Sequence, residues 1–142
     1  MSKFLMMMVA VSFGVVSTAS AHGPEEIAHR CAHRVNHIVH RCNNAASEET
    51  HECVRKINAL LEQGRVDAAH AVARECIQSA TERTRRCVTA VDNTCEECID
   101  ILLRLGAPEL ARRLANICDH AVEGLKTTLQ REKNIIREAL AG

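Results

Sequence analysis

Residues 31–42 read CAHRVNHIVHRC, two cysteines eleven residues apart with Val35 and Ile38 between them. Eleven residues turn an α-helix through about 1,100°, three turns and only ~20° more, so Cys31 and Cys42 occupy one face. Ile27, Val35 and Ile38 share it. Apolar residues recur at three- and four-residue intervals along the whole chain, and no segment alternates with the period of a strand. The fold class expected is therefore all-α.

Local signals divide the chain into about five helices. Pro24 suits the first turn of a helix running to about Asn44, with Glu25 and Glu26 favourable to its dipole. Ser47 is a suitable N-cap for a second helix through Gln63, which Gly64 ends. A third spans about Val66 to Val91. Asp92 caps a fourth that stops at Leu105 before Gly106, and Pro108 opens a fifth running to about Leu140. Cys31, Cys42 and Cys53 are matched 45 residues later by Cys76, Cys87 and Cys98, and Ser47 falls onto Asp92 under the same shift. Gly64 matches Gly106 after a gap of three, and each glycine precedes the next cysteine by 12 residues. This predicts a cysteine-containing helical repeat, as a bundle or a short solenoid.

The N-terminus carries a different signal. Lys3, the apolar run from Phe4 to Val16, and the small residues Ala19-Ser20-Ala21 make the pattern of a cleaved export signal. The expected organisation is a signal peptide over 1–21 and a cysteine-rich helical domain over 22–142. The localisation expected is periplasmic or extracellular, with no membrane span in the mature chain. Both phenylalanines and all 4 methionines lie in the leader, so residues 22–142 contain no aromatic side chain and no methionine. That excludes stacking platforms for bases or sugars and thioether ligands for copper. It also leaves the core to Ala, Val, Ile, Leu and Cys, which bury less area per residue than aromatics.

The 18 basic residues balance 18 acidic ones and are interspersed with them. Even the densest cluster, Arg83, Arg85 and Arg86, sits beside Glu82 and reads as a solvated helix face, so no nucleic-acid partner is expected. Cysteine is the unusual component. All 8, Cys31, Cys42, Cys53, Cys76, Cys87, Cys95, Cys98 and Cys118, fall in the domain. In an exported chain they read first as a disulfide framework. Cys42 with Cys53 and Cys87 with Cys98 bracket equivalent turns and are the favoured pairs. Cys53 and Cys76, on either side of the Gly64 turn at 11 and 12 residues from that glycine, are an alternative, and the spacing leaves connectivity open.

Two further chemistries compete with the staple. Thiolates inside a bundle can hold copper or zinc. The chain is similar in outline to cysteine-lined copper-storage bundles, which carry pairs four apart where this chain spaces them by eleven. Cys95-Glu96-Glu97-Cys98 has the spacing of a redox motif, with Cys95 in the first turn after Asp92, but its two glutamates disfavour a thiolate.

His29, His33, His37 and His40 fall within an arc of about 80° on the first helix, opposite the cysteines. Histidines four apart converge well enough to chelate a divalent ion such as zinc, copper or nickel. His22, at the expected mature N-terminus, adds an amino group and a ring as candidate copper ligands. No serine-histidine-aspartate order, phosphate loop or haem motif is present. The expected function is an exported, non-enzymatic, disulfide-stapled helical protein acting structurally or through a protein partner or self-association. No cofactor is required. The alternative is a copper- or zinc-buffering protein that uses the histidine stripe.

Overall fold

The computed structural model describes residues 23–142; the signal peptide expected over residues 1–21 and the candidate ligand His22 lie outside the described residues. Three long helices follow one another: α1 (Pro24–Glu62), α2 (Val66–Arg104) and α3 (Pro108–Ala141). No strand occurs among the described residues, and every pair of helices is in contact. The all-α expectation holds, with three helices in place of five.

The two boundaries that vanish are those predicted at Ser47 and Asp92. Capping by such residues contributes roughly 1 kcal/mol. Here it is outweighed, because the buried stripe runs through both positions without interruption. Ala46, Thr50 and Cys53 continue the inward face of α1, and Val91, Thr94 and Cys95 continue that of α2. Neither stretch contains a glycine or proline to break the backbone ladder.

The real breaks are Gly64 and Gly106, whose φ angles are +71° and +73°. That conformation is strained for a residue with a Cβ. Both turns close in the same way. Arg65 N–H donates to Leu60 O at 2.9 Å and Gly64 N–H to Leu61 O at 3.0 Å. Ala107 N–H donates to Leu102 O at 2.9 Å and Gly106 N–H to Leu103 O at 3.1 Å. Each pair satisfies carbonyls that the helix end would otherwise leave unbonded.

The α1–α2 hairpin is closed by three disulfides, Cys53–Cys76, Cys42–Cys87 and Cys31–Cys98, with Cα separations of 6.4, 6.4 and 6.2 Å. They are rungs of an antiparallel ladder: each step of eleven away from Gly64 on one helix meets a step of eleven on the other. Cys95–Cys118, with a Cα separation of 6.4 Å, spans the second turn as Cys53–Cys76 spans the first. The favoured pairs Cys42–Cys53 and Cys87–Cys98 are therefore wrong. Each of those pairs lies on a single continuous helix, three turns apart, and cannot bond. The 45-residue spacing of the cysteines places bonded partners on facing helices. Cys42 and Cys87, taken as equivalents under that shift, are bonded to one another.

Two apolar clusters fill the bundle. The larger joins Val35, Val91, Leu102, Leu114 and Leu125 with the bridges Cys31–Cys98, Cys42–Cys87 and Cys95–Cys118. The smaller, near the Gly64 turn, holds Ile57, Ala69, Ala73 and Ile136 around Cys53. Ile136 is 1% exposed, so the end of α3 packs back onto its own hairpin.

Peptide mapping without reduction should recover the cross-links 31–98, 42–87, 53–76 and 95–118, and the intact chain should take up no alkylating reagent. A 42–53 or 87–98 cross-link would overturn the ladder.

Candidate functional site

The two clusters are separated by a polar node that touches all three helices. Thr50 lies on the buried stripe Ala46–Thr50–Cys53–Ile57 of α1. Arg83 lies on the stripe Cys76–Ala80–Arg83–Cys87 of α2, and Glu132 on the stripe Leu125–Leu129–Glu132–Ile136 of α3. All three occupy positions where helical periodicity demands an inward side chain. The Arg83 side chain is 8% exposed and that of Glu132 is 6%.

Glu132 Oε2 accepts from Arg83 Nη2 at 2.5 Å and from Thr50 Oγ1 at 3.0 Å. The other guanidinium nitrogen, Arg83 Nη1, donates to Glu49 Oε2. Glu132 Oε1 is buried without a hydrogen-bond partner. Thr84, the next residue on α2, is also buried and donates its hydroxyl to Ala80 O at 2.9 Å. Charged groups in such a position cost solvation that hydrophobic residues of like size would not, and they are costly to separate. Through Glu132 they join α3 to both other helices.

Arg83 was expected on a solvated face, from its neighbours Arg85 and Arg86. Those two are exposed, whereas Arg83 points inward. Its place three residues from Ala80 and four from Cys87 was the available signal, and the basic cluster masked it. Glu132 gave a parallel signal as a carboxylate among leucines and isoleucines.

All 8 cysteines named in the sequence are brought together as four bonds, and no thiol is free. In this oxidation state no thiolate remains to hold copper or zinc. Cys95 and Cys98 bond to different helices, Cys95 to Cys118 of α3 and Cys98 to Cys31 of α1. The redox motif is thus split between two partners. Cys95 also lies deep within α2, far from its N-terminus at Val66, so the dipole argument for its reactivity falls away.

His29, His33, His37 and His40 are exposed along α1, and His37 also borders the groove beside Cys42 and Cys87. His40 Nε2 lies 3.3 Å from Asn44 Nδ2. Among the described residues no three histidine, cysteine, aspartate or glutamate side chains are gathered as a metal site.

No helix of the described residues is long and apolar enough to cross a membrane. Comparison with protein-family models, with curated proteins and with solved structures gave no match. The fold and its covalent framework define a disulfide-stapled, all-helical protein.

Replacing Arg83 with alanine strands the Glu132 carboxylate and should cost about 3–5 kcal/mol in urea unfolding with disulfides intact. The double variant Arg83→Met/Glu132→Leu should recover most of that loss. Equal stability of Arg83→Ala and wild type would show that the node does not hold α3.

Proposed function

We propose that this chain is an exported, non-enzymatic structural protein whose cross-linked helices form a rigid scaffold for a protein partner or a second copy of itself. One observation carries this reading: every long helix is tied to its sequence neighbour by sulfur, in a core without aromatic residues. Disulfides persist in oxidising compartments, and the leader-like pattern over residues 1–21 agrees with export.

The energetics favour a scaffold role. Once Cys42–Cys87 is formed, Cys31–Cys98 closes a ring of about two dozen residues, as does Cys53–Cys76 at the turn. Rings of that size stabilise by about 3 kcal/mol each in the chain-entropy model. Total stabilities of domains are typically about 5–15 kcal/mol. The bridges therefore supply a large share of what keeps the helices assembled.

Removing the outer rung with Cys31→Ser/Cys98→Ser should lower unfolding stability by about 3 kcal/mol. Full reduction should abolish the cooperative thermal transition. A reduced chain that melts at the temperature of the oxidised one would end the scaffold reading.

A second reading, transition-metal binding, rests on the exposed i, i+4 pair His33–His37 of α1. The pair has the spacing for two-point chelation and needs no cysteine. Zinc titration followed by calorimetry should show weak binding that is lost in both His33→Ala and His37→Ala. Unchanged affinity in those variants would remove the stripe from consideration.

A further inference from the structure

The four disulfides differ in what can reach them. Cys31, Cys98, Cys95 and Cys118 are all buried, between 1% and 5% exposed, so both of their bridges are closed to solvent. The other two bridges each contain one partly exposed residue, Cys42 in Cys42–Cys87 and Cys76 in Cys53–Cys76. Each lines an open groove, that at Cys42–Cys87 between α1 and α2 and that at Cys53–Cys76 lined by all three helices, and the charged residues of the two grooves differ in their balance.

Around Cys42–Cys87 the groove encloses about 350 Å³ and is walled by His37, Arg41, Arg83 and Arg86, with no carboxylate among its lining residues. Arg83 is already matched by Glu49 and Glu132. Arg41 and Arg86 are exposed and make no ion pair among the described residues. The groove around Cys53–Cys76 encloses about 290 Å³ and carries Glu49, Glu52, Glu75 and Glu132 against Lys56 and Arg83. There Glu49 and Glu132 are matched by Arg83 and Glu52 by Lys56, which leaves Glu75 as the unmatched charge where the first groove has Arg41 and Arg86.

We propose that Cys42–Cys87 is the exchange-active bridge of this protein, and that its groove takes a small anionic thiol as the reacting partner. Cys42 is the more exposed half, so the incoming thiolate attacks its sulfur. A mixed disulfide forms there, the Cys42–Cys87 bond breaks, and Cys87 leaves as a thiolate. Arg41 and Arg86 favour both the approach of the anion and the charge that develops on the leaving sulfur. A second thiolate then attacks the mixed disulfide and frees Cys42. Two molecules of the small thiol are oxidised to their disulfide while the bridge takes up two electrons and two protons.

The placement of this bridge makes the step reversible without unfolding. It is the middle rung, flanked by Cys31–Cys98 and Cys53–Cys76 eleven residues away on either side. Opening it leaves α1 and α2 in register, poised to re-form the same bond. The inference goes beyond the scaffold reading: a scaffold needs the outer rungs closed and does not require the middle one to exchange.

The test uses the oxidised full chain at low ionic strength, treated separately with anionic 2-mercaptoethanesulfonate and cationic cysteamine. Acid quenching, alkylation and peptide mapping give the opening rates of Cys42–Cys87 and Cys53–Cys76 in the same sample. Their ratio cancels the intrinsic reactivity of each reagent. The ratio should be about tenfold higher for the anionic thiol, the lower end of what electrostatic steering into a charged cleft provides. It should collapse at about 1 M salt, where screening acts within about 3 Å. Arg41→Ser/Arg86→Ser, both surface changes, should lower it with helicity unchanged by circular dichroism. The same ratio for both reagents in wild type would overturn the proposal, as would a buried bridge opening first.

Discussion

The register between α1 and α2 is the constraint from which the remainder of the structure follows, and it is set at the Gly64 turn. Once the chain reverses there, residues equidistant from the turn face each other, and a spacing of eleven keeps each next cysteine on the same helix face. Cys53–Cys76, Cys42–Cys87 and Cys31–Cys98 then form in a single register. A slip of one residue would rotate every later cysteine by about 100° and break all the rungs beyond it. Side chains as small as alanine and valine could not set a register so strictly by packing alone, because they offer little relief for interdigitation.

The attachment of α3 obeys a different rule. It has one sulfur bond, Cys95–Cys118, and the residues after it are held by packing and by the node of Thr50, Arg83 and Glu132. The node stands between the two apolar clusters and joins α3 to both other helices through Glu132. A leucine there would make neither bond, and burying these charges costs solvation that an apolar residue would not.

Charge is distributed along the hairpin with the same economy. The balance of 18 acidic and 18 basic residues suggests an even surface. Yet the charged residues lining the groove at Cys42–Cys87 are all basic, and those of the groove nearer the turn are mostly acidic. The contrast depends on which helix faces are brought together. Glu49 and Glu52 fall on one stretch of α1 and Arg41 on another, and α2 adds Glu75 to the first and Arg86 to the second. Four bonds that look alike in composition thereby acquire different accessibility and different electrostatic surroundings.

The helical period, the inward direction of the cysteines, the outward direction of the histidines and the breaks at Gly64 and Gly106 were legible in the sequence, because each depends on residues within a few turns of one another. The connectivity was not. Cys42 and Cys53 appeared to bracket a turn only because Ser47 resembles a cap, and a local preference of about 1 kcal/mol yields when a continuous buried stripe and two flanking bridges hold the helix straight. The role of Arg83 was hidden for the same reason. Its sequence neighbours Arg85 and Arg86 are solvated, while its partners Glu49 and Glu132 come from the other two helices. The sequence by itself determined which face of each helix is buried, since that follows from 3.6 residues per turn. Only the tertiary structure decided which buried groups meet, since that requires the two chain reversals to bring α1, α2 and α3 side by side.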